Sequence, residues 1–90
     1  MDTPKNKSTR VYIVGYGEVG CGQDVHGVYL SISKAKKAIY LYKEELSDYG
    51  ELQIWDASNN KLLEIYLYRD DKWSEWVGGG TIEVKDEDVK

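Results

Sequence analysis

S-K-A-K-K-A-I-Y-L-Y-K-E-E-L, residues 33–46, is the one segment of this chain with a helical period. Ala35, Ala38, Ile39, Tyr42 and Leu46 recur at helical spacing and draw a single apolar stripe. Lys36, Lys37, Tyr40, Lys43 and Glu44 face away from that stripe, toward solvent. Ser31 or Ser33 suits the N-cap, because a serine oxygen accepts from the unpaired amides of the first turn. S-D-Y-G, ending at Gly50, reads as the exit turn.

The flanking sequence alternates with a period of two instead. Before the helix, strands are expected over Arg10–Tyr16 and Val25–Leu30, joined by a glycine-rich loop over Gly17–Asp24. After it come Glu51–Ala57, an Asn59–Asn60 turn, Lys61–Tyr68, a turn over Arg69–Lys72, and Trp73–Val77. Gly78–Gly80 reads as a flexible hinge before a last strand, Thr81–Lys85. The expected class is α+β: a small, mostly antiparallel sheet in the order β-β-α-β-β, with one or two extra C-terminal strands and a single helix on one face. Residues 1–9 and the acidic 86–90 are expected to be flexible ends of one domain spanning 10–85.

Ninety residues leave room for one domain, whose core must rest on a few large side chains. The expected core set is Val11, Ile13, Leu52, Ile54, Leu63, Ile65 and Leu67 against the helix stripe. The period of two then sends Trp55, Tyr66 and Tyr68, with Tyr12 and Val14, to the opposite face. One helix cannot cover both faces. Either the segment carrying Trp73 and Trp76 folds over the second face, or a partner does.

Net charge is −4, split as +4 over residues 1–43 and −8 over 44–90. That acidity argues against direct nucleic-acid binding, which needs a basic face for phosphates. A single Cys excludes an internal disulfide. No apolar run is long enough to span a membrane, so a cytoplasmic protein is expected.

Gly15-Tyr16-Gly17-Glu18-Val19-Gly20 satisfies G-x-G-x-x-G after a strand, yet a strand rather than a helix follows. Backbone freedom in a hairpin loop accounts for these glycines better than a dinucleotide site does. Gly17, Gly20, Gly22, Asp24 and His26 remain as a possible ligand loop. Cys21 and His26 make two strong metal ligands, short of a closed zinc site, and lack the third group that nucleophilic catalysis requires. No catalytic residue, metal site or cofactor is expected.

Trp55, Tyr66, Tyr68, Trp73 and Trp76, ringed by acids that include Asp70, Asp71 and Glu75, form the expected interaction surface. Flat aromatics anchor protein interfaces, and the surrounding acids disfavour a nucleic-acid strand. V-Y-I-V at Val11–Val14, G-V-Y-L-S at Gly27–Ser31 and K-A-K-K-A-I at Lys34–Ile39 resemble short uncharacterised accessory proteins of bacteria and their phages. The resemblance covers the first half of the chain. It implies a non-enzymatic phage or mobile-element protein that binds and modulates or inhibits a host protein in the host cytoplasm, such as a defence component. The alternatives are a homo-oligomer that binds or sequesters a nucleotide-like small molecule, and a small Cys21/His26 enzyme. Self-association as a homodimer through the aromatic face is expected, and Tyr66→Glu is expected to break it.

Overall fold

The computed structural model describes residues 9–18, 22–41 and 49–90. Six strands form one sheet: β1 (Arg10–Glu18), β2 (Gly22–Tyr29), β3 (Tyr49–Asp56), β4 (Lys61–Arg69), β5 (Lys72–Val77) and β6 (Gly80–Val84). One helix, α1 (Ile32–Leu41), lies between β2 and β3 in the chain. The spatial order is β2-β1-β3-β4-β5-β6 and every pairing is antiparallel. The α+β arrangement read from the period change is therefore the one observed, with four strands after the helix.

Ser31 caps α1: its hydroxyl accepts the Lys34 amide at 3.4 Å and its carbonyl accepts the Ala35 amide at 3.0 Å. Ala35, Ala38 and Ile39 are buried as their spacing dictates. Tyr42, Lys43, Glu44 and Leu46 lie outside the described residues. Gly50 does not cap the helix. It sits inside β3, opposite Tyr16 of β1 and Tyr68 of β4.

The Gly17–Asp24 loop is also corrected. β1 and β2 stay paired through Gly17–Gln23 and Glu18–Gly22, so both strands run almost to the tip of the hairpin. Tight turns make the later connections. Asn60 has φ 53°, Asp70 and Asp71 have φ 56° and 64°, and Gly78 and Gly79 have φ 59° and 86°. In the β4–β5 and β5–β6 turns two successive positive-φ residues match the twist of the strands they join, which is why those two hairpins close so tightly. Gly78–Gly80 is thus a defined turn leading into β6, not a hinge.

The largest correction concerns which face is buried. The core consists of Tyr12 and Val14 of β1, Leu52 and Ile54 of β3, Tyr66 of β4 and Trp73 of β5, with Ala35, Ile39 and Val89. Val11, Ile13, Ile65 and Leu67 lie on the other face, and Leu63 is the extra residue of a bulge between Ile54–Glu64 and Trp55–Leu62. Register is the cause. β3 alone alternates apolar with polar, so Leu52 and Ile54 must face inward. Pairing then puts Val14 and Tyr66 beside Leu52, and Tyr12 beside Ile54.

The chain end belongs to the folded unit rather than being a mobile acidic tail. Asp86–Asp88 forms a 3-10 turn, and Val89 is 1% exposed within the core. The segment lies on the helix side of the sheet. There Lys36 donates to the Asp86 carbonyl at 2.6 Å, and the Tyr66 hydroxyl donates to the Asp88 carbonyl at 3.4 Å. Lys36 and Tyr40, expected to be solvated, are both engaged by it.

Candidate functional site

The expected interaction surface divides between two environments. Tyr66, Tyr68 and Trp73 belong to the helix side, where Tyr66 and Trp73 are 3% exposed. Trp73 packs against Tyr68 at 4.9 Å between ring centroids, and Tyr40 meets Tyr68 edge-on at 5.3 Å. Their polar ends are met internally. The Trp73 indole N–H donates to the Tyr40 hydroxyl at 3.0 Å, and the Tyr40 hydroxyl donates to the Asp86 carboxylate. Burial, then the bond to Asp86, pushes the Tyr40 hydroxyl up to about 12. Burial, reinforced by the charges of Glu64 and Glu75, raises Tyr66 further still. Asp86 is held below the usual carboxylate range, mainly by the Tyr40 bond and then by Lys36. This network ties the C-terminal segment to the sheet and α1; Tyr66 and Trp73 are buried in it, while Tyr40 stays partly exposed.

Glu75 faces the same side, paired with Tyr66, and Asp70 and Asp71 form the β4–β5 turn. Only Trp55 and Trp76 of the expected group lie on the outer face. That face still presents an uncovered apolar surface, built from different residues. Val28 of β2, Ile13 of β1, Gln53 of β3 and Ile65 of β4 are successive cross-strand neighbours. Trp76 of β5 extends the row one position beyond the Tyr66–Glu75 pair. Leu67 and Trp55 flank it. Val28 is 60% exposed and Trp76 48%. β5 and β6 lengthen the sheet instead of folding over it, and the C-terminal segment covers the opposite side.

Down the middle of the outer face runs a polar stripe along β3. The Trp55 indole N–H donates to Gln53 Oε1 at 2.8 Å, and Gln53 Nε2 donates to Glu51 Oε2 at 2.9 Å. Glu51 is only 7% exposed, although it lies on the face that no helix covers. With Tyr49, Ile65, Leu67 and Trp76 it lines a hollow of ≈ 230 Å³. Sequence reading missed Tyr49, Glu51 and Gln53 as surface features. The signal was available, since E-L-Q-I-W places Glu51, Gln53 and Trp55 on one face by alternation alone.

The described residues of the possible ligand loop lie in strands. Gly17 pairs with Gln23 and with Tyr49, while Gly22, Asp24 and His26 lie within β2. His26 is the exposed extra residue where the β1–β2 register shifts at Val14/Gly15. Gly20 and Cys21 lie outside the described residues. Because Gly15 and Gly17 are buried strand residues, they cannot wrap a pyrophosphate at a helix start. Among the described residues, no group of three His, Cys, Asp or Glu side chains is placed to hold a metal ion, and no helix is long and apolar enough to cross a membrane. Comparison with family models, curated proteins and solved structures returns no match.

Proposed function

We propose that this protein works by binding, docking a partner protein against the outer face of its sheet; where a phage or mobile element carries it, that partner is a host protein. One observation carries the reading. The apolar row through Val28, Ile13, Ile65 and Trp76 has no covering layer among the described residues. Exposed apolar surface gathered on one face, here on either side of the Gln53 stripe, marks interaction sites on small proteins. A docked partner would remove it from water at roughly 25 cal/mol per Å². Trp76 supplies the large, rigid anchor that interface hot spots favour.

For the nucleotide-binding alternative, Gly17 and Gly22 are engaged in strand pairing and Gly20 lies outside the described residues, so the outer face is the reading with a described surface behind it. The test is affinity capture from the native host with the wild-type chain and with Ile65→Glu. A protein retained by the wild type and lost with the variant, while circular dichroism stays unchanged, supports the reading. Equal retention by both forms, or no specific retention by either, overturns it.

A further inference from the structure

Glu51 is the least expected residue on the docking face. A glutamate that is 7% exposed as a residue normally has a cation or several donors beside its carboxylate, because an unpaired buried charge is costly. Here one oxygen accepts from Gln53 at 2.9 Å. Among the described residues, the other oxygen has no hydrogen-bond or ion-pair partner. The donor chain from Trp55 through Gln53 ends at Glu51, so the stripe closes on an acceptor with capacity to spare.

The walls above it suit a particular kind of donor. Tyr49 and Trp76 contribute aromatic rings to the lining, and Ile65 and Leu67 contribute aliphatic surface. A small anion would meet like charge here, and a neutral apolar side chain would leave the carboxylate unmatched. A cation on an aliphatic stem satisfies every wall at once. Its head pairs with Glu51, its charge lies against the aromatic rings, and its methylenes cover the leucine and isoleucine.

We propose that this hollow receives a lysine or arginine side chain of the partner protein, presented from an otherwise apolar surface. The inference rests on the docking role of the outer face and names the chemistry of what docks there. Overall charge points to a heterologous partner rather than a second copy. The chain carries −4, and residues 44–90, which supply β3 to β6, carry −8. Two such chains repel, whereas a basic partner is attracted and oriented.

The test titrates ¹⁵N-labelled protein with acetyl-Leu-Lys-Leu-amide, acetyl-Leu-Arg-Leu-amide and the neutral acetyl-Leu-Gln-Leu-amide. Either basic peptide should move the Trp76 indole signal and the Glu51, Gln53 and Leu67 amides, with affinity in the millimolar range expected of so short a ligand. Glu51→Gln, which keeps the shape and can keep the Gln53 bond, should weaken that binding at least about tenfold, an ordinary loss for an ion pair shielded from water. Its melting temperature should not fall. Trp76→Ala should weaken binding as well. The inference is overturned if the Gln peptide binds equally, if Glu51→Gln binds as the wild type does, or if about 20 mM basic peptide, far above millimolar affinities, moves nothing at this site. It is also overturned if sedimentation shows a dimer that Glu51→Gln dissociates, since the occupant would then be a second copy. Failure of the peptides alongside capture lost with Ile65→Glu would discard the basic side chain and leave the docking face standing.

Discussion

Val89 tests whether the acidic end is part of the fold. It is 1% exposed and packs in one cluster with Tyr66, Trp73, Ile39 and Leu52. Val89→Ala removes two methyl groups, worth roughly 0.8 kcal/mol each in transfer from water. A residual cavity adds to this, because the surrounding side chains relax only in part. The expected loss is about 2 kcal/mol, a large fraction of the roughly 5–15 kcal/mol that a domain holds in total. For a chain of this size, each kcal/mol shifts the melting temperature by roughly 4–8 °C, so the variant should melt about 8–16 °C lower. Thermal denaturation followed by far-UV circular dichroism reads this directly, and urea titration at 25 °C gives a second measure. A mobile terminus predicts something quite different: Val89 would be solvated in solution and its truncation would be silent. A shift under about 2 °C, well below what one lost kcal/mol produces, would refute the packing argument.

Further outcomes follow from the same geometry. Tyr66→Glu should unfold the protein rather than dissociate a dimer, because position 66 is 3% exposed and flanked by Glu64 and Glu75; near-UV circular dichroism should lose its aromatic signal, while the surface variant Trp76→Glu keeps it. Stability should fall as pH rises from about 10, the ordinary tyrosine value, toward 12, since the unfolded chain then releases a proton that Tyr40 retains in the fold. Chemical denaturation at stepped pH should show Tyr40→Phe flattening that decline. On the acid side the sign reverses for Asp86: its contribution is present above the ordinary carboxylate value and is lost as pH falls through its lowered one, so Asp86→Asn should be less acid-sensitive than the wild type. Asp70→Gly should raise stability by about 0.5–1 kcal/mol in urea titration, because position 70 has φ 56°, where a side chain is strained.

The parts of the fold legible in the sequence were those with one reading. The α1 stripe has no competitor, and Asn60 and the Asp70–Asp71 pair sit where the chain must reverse, whereas the Gly78–Gly79 pair suits a hinge and a turn alike. Face assignment was a different problem. V-Y-I-V in β1 and L-L-E-I-Y-L-Y in β4 are apolar on both faces, so alternation there cannot choose. β3 could choose, and its Leu52 and Ile54 were placed correctly. What failed was carrying that choice across the register to β4, where a shift of one residue exchanges Ile65 and Leu67 for Tyr66 and Tyr68. The acidic end was illegible for another reason. A lone valine among charges has no periodicity, and its burial depends on a cluster drawn from β1, α1, β3, β4 and β5, far from it along the chain.

Those two misreadings have one physical cause. Tyrosine and tryptophan are cheaper to leave half-hydrated than isoleucine and leucine, so local preference alone would turn Ile65 and Leu67 inward. The chain does the reverse, and burying Tyr66 and Trp73 requires partners for a hydroxyl and an indole N–H. The C-terminal segment and α1 provide them: the Asp88 carbonyl for Tyr66, the Tyr40 hydroxyl for Trp73, and the Asp86 carboxylate for Tyr40 in turn. With those groups satisfied, the aromatic register becomes the stable one, and Ile65, Leu67 and Trp76 are left on the outside. The acidic end thus helps to determine, from the opposite side of the sheet, which residues the outer face displays. Glu51 then lies among apolar neighbours because it shares a strand with Leu52 and Ile54, whose inward placement leaves it no other face.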